Sequence, residues 1–235
     1  MAKGPAADRF LFISDLQIPF EAPKALDFCL AVQKEFKIPQ EHVYNVGDEV
    51  DQYFGSAYQK DPNGWHTPRS EIAASREKLL RWYRSFPQMK LAISNHGLRW
   101  AKKAFDAEIP SEMLRPYQEI IHAPPGWIWR DSWTIKTQYP IKMIHGMGYS
   151  GQGGHRQAAL DFGINVVIGH LHSHAGVALI KTQGQRIWGM NTGCLIDDEA
   201  YAFAYNTTSR QKPILGCGVV VDGGLTPIFI PYERF

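Results

Sequence analysis

The sequence predicts an α/β fold, and three features of the 235-residue chain support this prediction. Short apolar runs stop at turn residues, which is typical of buried strands. Segments with helical spacing lie between several of these runs, as they do in α/β proteins. From Gly176 onward the pattern changes to consecutive short strands separated by Gly and Asn turns. We therefore expect an α/β core followed by a strand-rich tail.

The predicted elements before the tail follow from apolar periodicity and from capping signals. Thr67 is a good N-cap, and Pro68 suits the first position of a helix. Ser111 is a similar start signal for a helix that we expect to end at Ile121. The predicted strands are Phe10–Ile13, Val43–Val46, Leu91–Ile93, Ile141–Ile144 and Val166–Ile168, and the predicted helices are Pro23–Phe36, Pro68–Phe86, Leu98–Lys103, Ser111–Ile121 and Gly154–Phe162.

The tail is expected to close a second sheet by antiparallel pairing, because its strands follow one another without helices between them. The predicted tail strands are Val177–Ile180, Gln185–Met190, Tyr201–Ala204, Leu215–Val221 and Leu225–Ile230.

We expect residues 1–235 to form one domain, with a substrate-bordering insertion around 52–90.

The composition is that of an ordinary globular protein. Hydrophobic residues make up 44% of the chain, charged residues make up 20%, and the formal net charge is +2. This charge is too small to indicate a nucleic-acid-binding protein by itself. No apolar run approaches the ~18 residues of a membrane span, and the N-terminus lacks the apolar core of a signal peptide. We therefore expect a cytoplasmic protein without a membrane partner.

The three cysteines, Cys29, Cys194 and Cys217, are odd in number and far apart. None belongs to a C-x-x-C pair, so the sequence indicates neither a zinc ribbon nor a disulfide framework. We expect them to be buried apolar residues in a reducing compartment.

The segment between Asp51 and Thr67 is rich in aromatic and turn residues. A long loop beside a predicted site is often part of its rim. Its aromatic side chains could stack on a nucleobase or fill a gap over the core, and both interpretations remain open. The aromatic residues are Tyr53, Phe54, Tyr58 and Trp65.

Each of the five strands predicted before the tail ends at a side chain that can bind a metal ion. His170 and His172 share one face of an extended chain, and neutral imidazole is the commonest metal ligand. In open α/β sheets, ligands collect at the carboxyl ends of the strands. We therefore expect one metal site on one rim of one sheet, formed by Asp15, Asp48, Asn95 with His96, His145, and His170 with His172.

Gly146–Gly151 also satisfies the dinucleotide fingerprint G-x-G-x-x-G. That fingerprint requires an acidic residue about 20 positions further on, to bind the ribose. The chain has Val166–His170 at that distance and no carboxylate. The pattern therefore favours a metal site over NAD, with the glycines allowing close backbone approach near His145.

The order of these residues resembles that of the calcineurin-like metallophosphoesterases, whose motifs are D-x-H, G-D-x-x-D, G-N-H-[DE], a lone H before a small residue, and G-H-x-H. The resemblance covers residue 10 to about residue 172. Small enzymes of this family, often found in bacteriophage and bacterial genomes, are the most similar type. The matching segments are Asp15–Gln17, Gly47–Asp51, Ser94–Gly97, His145–Gly146 and Gly169–His172.

The chain departs from the family pattern at three positions. Gln17 replaces a histidine, Ser94 a glycine, and Gly97 an acidic residue. Gln52 stands where the protein-phosphatase branch of the family has an arginine.

The resemblance implies a two-sheet mixed β-sandwich flanked by helices, with two divalent metal ions. Because an amide oxygen binds Zn-like ions more weakly than imidazole does, Mn²⁺ is the expected metal, with Mg, Fe, Zn and Ni as alternatives. The implied ligands of one ion are Asp15, Asp48, His172 and Gln17, and those of the other are Asp48, Asn95, His145 and His170.

The implied reaction is hydrolysis of a nucleotide or nucleic-acid phosphodiester by a metal-activated water. His96 would donate a proton to the leaving oxygen, and Asp51 would orient its imidazole. The absence of an arginine at position 52 favours a diester over the more highly charged monoester.

Two alternatives to a phosphodiesterase remain. Arg99, Arg130 or Arg156 could supply the charge that a phosphomonoesterase needs, although Arg99 is expected to be an ordinary surface residue. The other alternative is a scaffold that keeps the fold without catalysis, as the retromer subunit of this family does.

Overall fold

The computed structural model describes residues 8–57, 67–197, 199 and 212–234. These residues contain eleven named strands and five α-helices. The strands are β1 (Phe10–Ile13), β2 (Val43–Asn45), β3 (Met89–Ala92), β4 (Trp127–Arg130), β5 (Trp133–Ile135), β6 (Ile141–Met143), β7 (Asn165–Ile168), β8 (Gly176–Lys181), β9 (Arg186–Asn191), β10 (Gly216–Val221) and β11 (Thr226–Pro231). The helices are α1 (Ala25–Glu35), α2 (Pro68–Ser85), α3 (Arg99–Asp106), α4 (Tyr117–Ile120) and α5 (Gly154–Phe162).

The strands form two mixed sheets. The first has the order β11-β10-β1-β2-β3-β4, and the second has the order β5-β6-β7-β9-β8. Strands β1 to β4 are parallel to one another, as are β6, β7 and β9, and the remaining pairs are antiparallel. The predicted two-sheet α/β sandwich flanked by helices is therefore confirmed.

Side-chain alternation along β1 shows how the layers are built. Phe10 and Phe12 point into the apolar layer between the two sheets, where they meet Trp188 of the second sheet. Leu11 and Ile13 point to the opposite face, which α1 and α2 cover. Full burial of each such side chain contributes about 1.5–3 kcal/mol to the stability of the fold. On the far side of the second sheet, α5 packs its alanines against β7, with Ala158, Ala159, Val166 and Ile168 all buried.

The start of α2 is the predicted one. Thr67 Oγ1 accepts a hydrogen bond from the Ser70 N–H at 3.1 Å, and the Thr67 N–H donates to Ser70 Oγ at 3.2 Å. Pro68 then occupies the first helical position, where its missing N–H has no partner to lose.

The predicted helix Ser111–Ile121 is wrong. A single turn of 3-10 helix covers Ser111–Met113, and α4 contains only Tyr117–Ile120. Pro116 separates the two elements because it lacks an N–H and forces the preceding residue towards extended backbone.

The predicted pairing of the tail is only partly correct. Strands β8 and β9 form an antiparallel pair in the second sheet, as expected. Strand β10 instead pairs with β1 and extends the first sheet, followed by β11. Val219 and Val220 are both fully buried, so β10 has apolar neighbours on both of its faces. The predicted strand Tyr201–Ala204 lies outside the described residues.

All three cysteines are buried and none of them forms a disulfide, as the sequence indicated. In the described parts of the chain, no helix combines the length and apolar character needed to cross a bilayer. The insertion around 52–90 stays a prediction, and residues 58–66 of it lie outside the described residues.

Candidate metal centre

The loops that follow β1, β2 and β3 meet the loops that follow β6 and β7 at one end of the sandwich. The Asp15 N–H donates to the Gly47 carbonyl at 3.0 Å, and the Gly169 N–H donates to the His145 carbonyl at 3.0 Å. We expected one rim of one sheet, and the structure corrects this. The strand ends belong to two sheets, which share the rim because they pack face to face.

The backbone at these strand ends has unusual conformations. Nine non-glycine residues in the described part of the chain have positive φ, and five of them lie in the site loops. Such conformations are costly and cluster at functional sites, where surrounding structure holds them in place. The five residues are Asp15 (49°), Gln17 (46°), Asp48 (54°), Gln52 (52°) and His170 (68°).

One group of possible ligand atoms contains Asp15, Asp48 and His172, all within 4.8 Å of one another. His172 Nε2 lies 2.9 Å from Asp15 Oδ1. The side-chain nitrogen of Gln17, Nε2, lies 3.0 Å from the same His172 atom. Ligands of one octahedral ion at about 2.1 Å are about 3 Å apart, so the separation of His172 Nε2 from Asp15 Oδ1 suits a shared cation. Gln17 would join them only with its amide turned, because the amide oxygen and not the nitrogen binds a cation.

A second group contains Asp48, His145 and His170, with the same spacing limit of 4.8 Å. His145 Nε2 lies 2.7 Å from Asn95 Oδ1 and 3.3 Å from Asp48 Oδ2. His145 Nδ1 lies 3.0 Å from the Val46 carbonyl, to which it can donate its proton. That hydrogen bond would leave Nε2 as the ligand atom, which is the usual arrangement of metal-binding histidines.

Several buried polar atoms in these groups fit a cation better than they fit one another. Gln17 Oε1 and Asp48 Oδ2 are buried and have no hydrogen-bond partner. With a single proton on Nδ1, His145 would present a lone pair to the Asn95 oxygen at 2.7 Å, which is repulsive unless a second proton or a metal ion lies between them. The donor set of carboxylates, imidazoles and amide oxygens therefore fits divalent ions of the Mn²⁺, Mg²⁺ or Zn²⁺ type.

The charges of the site shift its pKa values in opposite directions. Burial alone would raise the pKa of Asp48, but the charges of His145 and His96 outweigh it and hold that pKa well below its ordinary value. Burial likewise opposes the charge of His145, yet Asp48 raises its pKa to about 9. Burial by itself would raise the pKa of Asp15 and lower that of His172, but the hydrogen bond and the opposite charges of this pair outweigh burial. The pKa of Asp15 is therefore lowered and that of His172 is raised. Without metal, the protonated histidines therefore balance the charge of the ionised carboxylates.

Asp48 is fixed by a serine whose role sequence reasoning missed. The Asp48 N–H donates to Ser94 Oγ at 3.0 Å, and Asp48 Oδ1 accepts from the His96 N–H at 3.1 Å. Ser94 Oγ also accepts from the Gly97 N–H at 3.3 Å. The hydroxyl at this departure from the family pattern thus ties the second strand end to the third.

His96 is held from both ends of its imidazole. Its Nδ1 lies 2.8 Å from the Asp51 carbonyl and 2.9 Å from Asp51 Oδ1. On the other side, Arg99 Nη2 donates to His96 Nε2 at 2.8 Å, and Arg99 Nη1 donates to the Asp51 carbonyl at 2.7 Å. The Arg99 side chain is only 13% exposed, so the expectation of an ordinary surface arginine is wrong. Its position three residues after His96, on the same side of a helical turn, was the available signal.

Two glycines are needed where these loops touch. A Cβ on Gly47 would lie 2.7 Å from both His145 Nδ1 and Ser94 Cβ. A Cβ on Gly169 would clash with Ser14 Oγ and with Asp15 Oδ2. Gly146 has a φ of 113°, and a Cβ there would lie 3.3 Å from the Gly169 carbonyl oxygen, so Gly146 allows the close backbone approach expected near His145. Nothing lies within 4 Å of the Cβ positions of Gly148 and Gly151, so the expectation is wrong for these two glycines.

Of the aromatic residues after Asp51, Tyr53 is fully buried. Its ring packs against Phe20 at 6.0 Å and Phe54 at 5.3 Å between centroids. Tyr53 therefore fills a gap over the core and is not available to stack on a nucleobase. Tyr58 and Trp65 lie outside the described residues.

No family model matches the sequence, and no curated protein sequence is similar to it at a significant level. Two similar structures are Vacuolar Protein Sorting 29 from Cryptosporidium parvum (TM-score 0.47, 14% identity) and Vps29 from Chaetomium thermophilum (TM-score 0.43, 12% identity). Each similarity covers 94% of this chain and 88% of the other. At these values neither similarity supports an argument about activity.

Proposed function

We propose that the chain is a metal-dependent phosphoesterase. The observation that carries this proposal is the position of Asp48, which belongs to both groups of possible ligand atoms. A carboxylate shared between two groups is what a pair of adjacent divalent ions requires. In this proposal Asp15, Gln17 and His172 complete one site, and Asn95, His145 and His170 complete the other.

The remaining residues are arranged for proton transfer beside that centre. Two divalent ions, when bound, lower the pKa of a water molecule and neutralise phosphate charge. His96 would protonate the leaving oxygen through Nε2, the ring atom that faces away from Asp51. Asp51 would hold the imidazole in place through Nδ1, in the way that a carboxylate orients a catalytic histidine.

A nucleotide or nucleic-acid phosphodiester is the proposed substrate, as the sequence predicted from Gln52. The amide of Gln52 makes two hydrogen bonds to the turn after His96 and carries no charge. The Arg99 guanidinium beside His96 favours a phosphomonoester as the alternative substrate, since it adds a positive charge there.

The test is hydrolysis of bis(p-nitrophenyl) phosphate and p-nitrophenyl phosphate by the purified chain, with Mn²⁺, Mg²⁺ or Zn²⁺ and after chelation. We expect turnover that requires a divalent ion and falls about 10²–10⁴-fold in His96→Ala. His122→Ala, at an exposed histidine outside the site motifs, is the control and should keep full activity. Turnover that survives chelation, or that His96→Ala leaves intact, would contradict the proposal.

A non-catalytic binding protein is the second candidate, and two observations favour it. Gln17 weakens one ion site because a neutral amide replaces a ligand histidine, and Arg99 occupies the Nε2 atom that a proton donor needs. Purified protein that contains no metal and shows no metal-dependent turnover of either ester would support this candidate.

A further inference from the structure

We propose that Arg99 binds the phosphoryl group of the substrate and determines whether the site accepts a dianionic phosphomonoester. The inference rests on the proposed phosphoesterase function and adds to it a residue that sets substrate charge. It starts from the contact between the Arg99 guanidinium and His96 Nε2, at 2.8 Å.

The guanidinium lies where a substrate must approach. A leaving oxygen that accepts a proton from His96 has to come within about 3 Å of Nε2. Arg99 Nη2 already lies at that distance from Nε2, so any such oxygen becomes a neighbour of the guanidinium. A planar guanidinium offers five N–H donors in a fork that matches phosphate oxygens. A bound phosphate can therefore take over the N–H that Arg99 gives to Nε2, which frees that atom to take up from solvent the proton that it would pass to the leaving oxygen.

Contacts with Asp51 and with the turn at Gly55 fix the Arg99 side chain so that its guanidinium lies at the site. Arg99 Nη1 donates to the Asp51 carbonyl at 2.7 Å and lies 3.5 Å from Asp51 Oδ1. A Cβ on Gly55 would lie 2.6 Å from Arg99 Cβ, so the turn at Gly55 packs directly on the side chain. A guanidinium fixed in this way loses less conformational freedom on binding than a mobile surface arginine does.

Gln52, at the position where the protein-phosphatase branch has an arginine, fixes the turn that carries Arg99. Gln52 Nε2 donates to the Gly97 carbonyl at 3.2 Å, and the Trp100 N–H donates to Gln52 Oε1 at 3.2 Å. Both bonds fix the turn from which Arg99 projects. Gln52 is thus a positioning residue. The positive charge of the site is carried by Arg99, which follows β3, and not by residue 52, which follows β2.

The experiment compares Arg99→Met and Arg99→Lys with Lys102→Met, which removes an exposed cation from the same helix. The first readout is binding of inorganic phosphate to the Mn²⁺-loaded protein, measured by calorimetry. The second is kcat and KM for p-nitrophenyl phosphate and bis(p-nitrophenyl) phosphate. Circular dichroism and Tm establish that each variant is folded, and Arg99→Lys keeps the test decisive if Arg99→Met does not fold.

We expect Arg99→Met to weaken phosphate binding about 10–100-fold, since a charge-assisted hydrogen bond is lost. The monoester kcat/KM should fall at least about tenfold more than that of the diester, because the dianion depends more on the added charge. Arg99→Lys should lie between Arg99→Met and wild type, and Lys102→Met should match wild type.

Failure of the inference can be told apart from failure of the proposed function. Metal-dependent turnover in wild type, with phosphate affinity and the ester ratio unchanged in both Arg99 variants, overturns the role of Arg99 alone. Phosphate binding that needs Arg99, without hydrolysis of either ester, supports the phosphate contact and contradicts the enzyme. A wild-type protein that neither binds phosphate nor hydrolyses an ester contradicts both.

Discussion

Gln17 is the residue whose chemistry differs most from the metallophosphoesterase motifs that the sequence resembles. Its backbone is left-handed, its side-chain nitrogen lies 3.0 Å from His172 Nε2, and its buried oxygen has no hydrogen-bond partner. A half-turn of the amide exchanges the two atoms and directs the oxygen towards His172. The site then offers a hard, neutral ligand where imidazole would favour Zn²⁺.

At this scale we predict that Gln17→His raises Zn²⁺ affinity by at least about tenfold and raises Mn²⁺ affinity less. The physical reason is that imidazole is a stronger ligand than an amide for Zn-like ions. Calorimetric titration of both metals into the metal-free protein measures the change. Gln138→His, at an exposed position, is the control, and equal affinities in Gln17→His and wild type would refute the idea.

At the scale of elements, the site is made by strands that stop at the same level. Each strand ends in a tight turn, and hydrogen bonds between neighbouring turns extend the parallel pairing beyond the strands, as from the Gln17 N–H to the Asp48 carbonyl at 2.9 Å. The turns approach so closely that Gly47 and Gly169 have no room for a side chain. The spacing of the ligands therefore depends on contacts between turns as well as on the sheets.

Gly169→Ala tests this dependence. The added methyl group would meet Ser14 Oγ and Asp15 Oδ2, so we expect a loss of about 1–3 kcal/mol in the free energy of unfolding. Mn²⁺ affinity should fall at least about tenfold, because Asp15 would be displaced. Gly184→Ala is the matched control, since nothing lies within 4 Å of its Cβ position, and it should change stability by less than about 0.5 kcal/mol. Denaturant unfolding and metal titration measure both, and a Gly169→Ala protein equal to this control would be inconsistent with the role of the turns.

For the whole molecule, the site joins two sheets by charge. Asp15 and Asp48 come from the first sheet, and His145, His170 and His172 come from the second. In the metal-free protein the positive charge of protonated His145 partly balances the negative charge of Asp48, which is why the pKa of His145 is about 9. A divalent ion would replace that proton and connect the same two sheets.

This balance predicts how stability depends on pH. The pKa of His145 is about 9 in the folded state and about 6.5 when unfolded, so its stabilising effect is complete below pH 6.5 and is lost as the pH rises through 9. We expect the metal-free protein to lose on the order of 3 kcal/mol across this window. The raised pKa of His172 acts with the same sign.

Denaturant unfolding at several pH values, with and without Mn²⁺, measures the effect. Metal binding releases the proton, so Mn²⁺ affinity should rise with pH and the loss of stability should become smaller. His145→Asn should flatten the profile of the metal-free protein. A flat profile in the metal-free wild type would contradict the pairing of His145 with Asp48.

The sequence by itself determined β1, β2, β3, β6 and β7 of the α/β core, the start of α2 and the chain positions of the five carboxylates and histidines that lie in the two groups of possible ligands. It could do so because an apolar run, its turn residues and the polar side chain that follows are neighbours along the chain. Only the tertiary structure decided that two sheets share the rim, that β10 joins β1, and that Ser94 and Arg99 reach Asp48 and His96. These features depend on packing and hydrogen bonding between segments far apart in sequence. The apolar periodicity of one segment does not specify which distant segment it will pack against or pair with.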